Sequence, residues 1–190
     1  MASPAFPSLL TPTDCEVISF NGQTIELPKT IITFKQWKGV SIAYTFGGKP
    51  LIDFDGIPVF AELAIMKLFK ISGWQARWIE TCGSPDKNPF HFSDWDPTKL
   101  KLTEQNRDMI QDDSILKLLD AISILNSKTY GYSYSGCWDV VGWRGDKILF
   151  AESKRTNKDR FRETQHKWLS AGMMSGLDSN NFLVVEWDFI

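Results

Sequence analysis

Two carboxylates and an amine stand close together between Gly136 and Arg155, in the run GCWDVVGWRGDKILFAESKR. Asp139 and Glu152 each interrupt a mostly apolar stretch, and Lys154 follows the second acid by two residues. The runs CWDVVGW and KILFAESK flank Arg144-Gly145-Asp146-Lys147, and glycine at the first central position suits a two-residue type II′ hairpin turn. Counting back from Arg144 paired with Lys147 sets Val141 opposite Phe150 and Asp139 opposite Glu152. Opposed residues of an antiparallel pair bring their Cβ atoms to about 4.5–5.5 Å, where like charges destabilise the sheet. Alternation puts Lys154 on the face of Glu152 and turns Ser153 away. A divalent cation with oxygen ligands, Mg²⁺ or Mn²⁺, would neutralise the facing acids. Two plainer readings stay open on spacing alone. Lys154 merely screens a carboxylate pair on a solvated face, or the register is shifted by one and the acids part to opposite sides of the sheet.

Three further features surround this hairpin. Phe161, Gln165, Trp168, Leu169 and Gly172 fall at helical spacing within a helix expected near Asp159 to Met174, which puts Gln165 on the apolar stripe. Its amide either satisfies a backbone group of the core or aims at the hairpin face. Glu62 lies on the stripe of an earlier helix, expected over Val59 to Ser72 with Pro58 in its first turn and Gly73 as its stop. A buried acid there is costly unless it is paired or bound to metal. Finally, Arg155, Lys158, Arg160, Arg162 and Lys167 form a basic cluster beside the acids, well placed to hold phosphates, although charge runs also mark solvated faces.

An acid in one hairpin strand, ExK in the next, a Gln within QHKWL of the following helix and then Gly172 resemble the PD-(D/E)XK nuclease superfamily, most closely its VRR-NUC-type domains. The likeness is best from Gly136 to Trp187 and reaches more weakly to the Glu62 helix. It implies a restriction-endonuclease-like α/β fold, a mixed central β-sheet flanked by α-helices, and metal-dependent hydrolysis of phosphodiester bonds. DNA is the implied substrate, with RNA open. Carried over, Asp139, Glu152 and the Ser153 carbonyl would hold Mg²⁺, with Mn²⁺ able to substitute, and Glu62 a second ion or its water. Lys154 would orient the attacking water or stabilise charge on the phosphoryl oxygens, and Gln165 would position Lys154 or the phosphate. Trp138 stands where the family's name has proline. Ser84-Pro85-Asp86 repeats the motif's letters, but it sits in a loop with no ExK strand after it and reads as a decoy. The competing expectation is a nuclease-like module that grips nucleic acid through the 154–167 cluster without cutting it.

The elements that must position these residues follow from pattern and totals. With 190 residues, 43% of them hydrophobic, the chain can bury one core, and a single domain over 14–190 is expected after a loose arm, Met1 to Thr13. A net charge of −2 and a pI near 5.7 argue against a general polyanion binder, so any grip on nucleic acid must rest on local charge. Cys15, Cys82 and Cys137 show no CxxC spacing, and Met1 to Thr13 lacks a leader pattern, so a reducing, intracellular setting is expected. The most apolar window, Ile57 to Ile71, carries Glu62, Lys67 and Lys70 and falls short of the roughly 20 residues of a bilayer span. His91 and His166 are too few for a zinc site, and Gly47-Gly48-Lys49 lacks P-loop spacing. Short strands are expected between Glu16 and Phe54, with ITFKQW and VSIAYTF the better candidates, then a strand QARWIET. An ordered loop over Cys82 to Pro97, a helix near Thr103 to Leu125 and a last strand, FLVVEW, complete the order.

Overall fold

The computed structural model of the chain describes residues 5–42, 45, 48–81 and 88–190, so the Ser84-Pro85-Asp86 decoy lies outside the described residues. In chain order the elements are β1 (Asp14–Phe20), β2 (Gln23–Gln36), β3 (Ile52–Phe54), β4 (Ile57–Val59), α1 (Ala61–Ile71), β5 (Gln75–Glu80) and β6 (Phe90–Phe92). There follow α2 (Asp113–Tyr130), β7 (Val140–Arg144), β8 (Lys147–Arg155), α3 (Glu163–Met174) and β9 (Phe182–Phe189). The strands join in one sheet in the order β4-β3-β2-β9-β8-β7-β5-β6, with β1 paired to β2. β9 runs parallel to both β2 and β8, whereas the other pairs are antiparallel. The chain is thus a mixed α/β protein with a large mixed sheet. Among the described residues no helix is long and apolar enough to cross a membrane.

Both faces of the sheet are covered, which is why its central strands read as apolar runs. On one face α1 buries Leu63, Ile65, Met66 and Phe69 against Trp78, Leu149, Ala151 and Val185. On the other, Ile115 and Leu119 of α2 and Trp168 and Leu169 of α3 pack with Val141, Phe150, Phe182 and Val184. Strand β8 therefore sends Leu149 and Ala151 to one core and Phe150 to the other. Burial of a Leu or Phe side chain such as these contributes about 1.5–3 kcal/mol. Those two cores clamp the hairpin that carries the acids.

The hairpin forms as counted: Gly145 has φ +60°, Arg144 pairs with Lys147 and Val141 with Phe150. Several boundaries differ from expectation. α1 starts at Ala61, because Pro58 is in β4 opposite Asp53 and not in a helical first turn. α2 starts at Asp113 and not near Thr103; the Asp112 carboxylate accepts from the Ser114 and Ile115 amides, while Leu102–Glu104 makes only a 3-10 turn. α3 begins at Glu163, later than Asp159, and the expected loop over Cys82 to Pro97 contains β6. Of VSIAYTF, the described residues Val40, Ser41, Ile42 and Thr45 are not in a strand. β2 instead runs 14 residues and tolerates Pro28, because its ladder with β9 begins only at Lys29. The N-terminal arm was expected to be loose, yet its described part is docked. Ser8–Leu10 forms a 3-10 turn, Leu10 is fully buried, and the Thr30 hydroxyl donates to the Leu10 carbonyl at 2.8 Å.

Candidate active site

The β7–β8 ladder ends at Val140 opposite Ala151, and the next residues outward are Asp139 and Glu152. Strand β5 fixes the first acid's backbone, since the Ile79 amide donates to the Asp139 carbonyl at 2.8 Å. The Asp139 side chain bends across the hairpin, its Oδ2 accepting from the Ser153 amide at 2.9 Å. Glu152 is 2% exposed and Lys154 9%, so the reading of a merely solvated charge pair does not hold. The register is not shifted by one either, since Val140 pairs with Ala151, and the charge of Glu152 acts on Asp139.

Lys154, Glu152 and Gln165 close a ring. Lys154 Nζ donates to Glu152 Oε1 and to Gln165 Oε1, both at 2.9 Å, and to the Arg160 carbonyl at 3.4 Å. Gln165 Nε2 donates to the same Glu152 Oε1. The Gln165 carbonyl also accepts from the Arg162 amide at 2.9 Å, satisfying a free donor at the start of α3. Of the two uses foreseen for this amide, it faces the hairpin while capping its own helix. The Phe161 ring covers the ammonium at 4.6 Å. Ser153 points away, its hydroxyl accepting from Trp187 Nε1 at 2.9 Å.

Glu152 Oε2 is buried and has no hydrogen-bond partner among the described residues. Such an oxygen is costly to leave unpaired. Burial pushes the Glu152 carboxyl up to about 6, against the opposing charge and hydrogen bond of Lys154. Burial, then the charges of Glu152 and Glu62, raise Asp139 as well, while Lys49 and the Ser153 amide pull the other way. Burial and the neighbouring acids also raise the Cys137 thiol, keeping it protonated and unsuited to act as a nucleophile.

The acids line a cleft of about 550 Å³ whose walls include Glu62, Glu80, Lys154 and Gln165. Glu62 is held by Lys49, with Nζ 2.5 Å from Oε1. Desolvation disfavours the Lys49 ammonium, but Glu62, Asp139 and Glu80 outweigh it and raise its pKa. Among the described residues no group of three or more His, Cys, Asp or Glu side chains is already placed to hold a metal ion. Of the basic cluster, Arg155, Lys158, Arg160 and Arg162 line the cleft. Arg155 is partly engaged there by Asp188 at 3.1 Å. Lys167 is not among the cleft-lining residues and pairs with Glu163 at 2.8 Å, one helical turn away.

No family model, no curated protein and no solved structure matches the chain.

Two buried carboxylates with an unpaired oxygen, beside a locked ammonium, are hard oxygen donors suited to a hard divalent ion and a phosphate ester. Lys49 was missed as a site residue, because Gly48-Lys49-Pro50 carries no periodicity and reaches Glu62 only through tertiary packing. Glu80 and Cys137 were missed likewise, and only their position next to the acids' strands in the sheet could have flagged them.

Proposed function

We propose that this chain is a metal-dependent nuclease with a restriction-endonuclease-like fold, hydrolysing phosphodiester bonds, most naturally in DNA. The observation that carries the reading is the buried, unpartnered Glu152 Oε2 beside Asp139. Asp139, Glu152 and the Ser153 carbonyl would hold Mg²⁺ or Mn²⁺. When bound, the ion supplies charge neutralisation for the two acids and Lewis-acid polarisation of the phosphate.

The remaining work falls to the chain's own side chains. Gln165 and Glu152 fix the Lys154 ammonium, so it meets charge developing on phosphoryl oxygens without reorganising. It acts by charge and hydrogen bonding. Lys158, Arg160 and Arg162 on the cleft wall hold flanking phosphates, which supplies the local positive charge that an overall acidic chain needs.

Incubation of a panel of DNA and RNA structures with the protein and Mg²⁺ or Mn²⁺ tests this. The wild type should cut at least one substrate only with the ion present. Lys154→Ala should slow that cleavage by about 10²–10³, the loss typical of one electrostatic donor. Cleavage that persists in chelator, or that Lys154→Ala leaves untouched, would overturn the mechanism. Ion-insensitive binding without any cleavage would favour the non-cutting module.

A further inference from the structure

Lys49 comes to the acid cluster from the connection between β2 and β3, and it lines the same cleft as Lys154. Its ammonium lies 5.8 Å from the centre of the Phe60 ring and 5.5 Å from that of Trp78, and the described residues give it one hydrogen-bond acceptor, Glu62. The pair is sheltered, with side-chain exposures of 31% for Lys49 and 12% for Glu62. Its charge acts on Asp139 and Glu80 as well as on Glu62. The two lysines of the cleft are thus held differently. Lys154 is tied by Glu152, Gln165 and the Arg160 carbonyl and leaves Glu152 Oε2 free. Lys49 is hydrogen-bonded to the Glu62 carboxylate alone among the described residues.

Four acids in one cleft repel one another, and a unit positive charge among them lowers that repulsion as a bound cation does. Two cations drawn to one acid cluster disfavour each other by like charge.

We propose that Lys49 is the resident counter-cation of this site, neutralising Glu62 when no divalent ion is bound and competing with that ion for the acid cluster. The proposal rests on the metal-dependent reading given above. It makes ion affinity a property set by Lys49: the cluster keeps a cation at all times, and Mg²⁺ or Mn²⁺ gains only the difference. It also explains why Glu62 is paired while Glu152 Oε2 is not, since the amine covers one end of the cluster and leaves the other open.

Titration calorimetry of Mn²⁺ into the full chain tests it without any substrate. Lys49→Met should bind Mn²⁺ about tenfold more tightly than wild type, the effect of removing one partly screened charge. Lys49→Gln removes the charge but keeps a donor for Glu62, so it should show the same gain even if the methionine variant folds poorly. Lys49→Arg keeps the charge and should stay near wild type. Equal or weaker Mn²⁺ binding by the folded neutral variants overturns the role of Lys49 while leaving the metal site standing. Absence of Mn²⁺ binding in wild type and in all variants overturns both readings together.

Discussion

A methyl group built on Gly136 would lie 2.0 Å from the carbonyl oxygen of Thr164 and 2.6 Å from the amide nitrogen of Gln165. The segment leading into β7 thus rests directly on the first turn of α3, and this contact sets Asp139 and Gln165 at hydrogen-bonding range of the same cluster. Gly136 also has φ +80°, a backbone region that other residues enter at a cost.

Gly136→Ala should accordingly destabilise the fold by about 2–4 kcal/mol, combining the backbone penalty with a clash against main chain that cannot move aside. Gly131→Ala is the control, since Gly131 has φ +85° but nothing within 4 Å of an added Cβ. It should cost only about 1 kcal/mol. Urea midpoints of the two variants measure the difference.

Gln165 serves Lys154, Glu152 and the Arg162 amide at once. Gln165→Ala should therefore lower stability by about 1–2 kcal/mol and reduce turnover by releasing Lys154. Gln165→Glu keeps the acceptor for Lys154 but sets a third carboxylate against Glu152, so it should be the less stable of the two at neutral pH and recover as the pH is lowered. Thermal melts across pH separate these outcomes.

The hairpin's part of this arrangement was legible because its turn chemistry fixes register: once Gly145 is the first turn residue, parity alone assigns Asp139, Glu152 and Lys154 to one face. Gln165 followed from helical spacing after that. Lys49 was not legible, since nothing local distinguishes it from any lysine beside a glycine, and what brings it to Glu62 is the folding back of β3 onto β2. The start of α2 was misread because Thr103-Glu104 imitates a helix opening, whereas the side chain that does cap the helix, Asp112, lies further on. Propensity identifies such candidate openings, and tertiary packing selects among them.

His91 is buried in β6, where its Nδ1 accepts from the Ile110 amide at 3.2 Å. Burial, helped by the charge of Arg77, lowers its pKa from 6.5 to about 4. The unfolded chain therefore takes up this proton before the folded one does. Stability linked to His91 is complete above about pH 6.5 and is lost as the pH falls toward 4. His91→Asn retains an acceptor without the titration, so its melting temperature should fall less between pH 6.5 and 4 than that of wild type, and equal slopes would refute the assignment.

Arg160 lines the cleft, while Lys167 is occupied by Glu163. Arg160→Ala should weaken binding to a DNA oligonucleotide and reduce the slope of log K against log salt by about 1, whereas Lys167→Ala should leave both unchanged. Fluorescence anisotropy over a series of salt concentrations reads both quantities.

Strand β9 lies between β2 and β8 and joins them, for those two strands do not pair with each other. Its Trp187 also lines the cleft, and its carbonyl takes the Thr156 amide at 2.9 Å. A polypeptide still on the ribosome has therefore made both halves of the sheet before the piece that unites them emerges. Until residues 182–189 are free to insert, a growing chain carries an unfinished wall beside its acids, and the cleft takes shape only once that strand is in place.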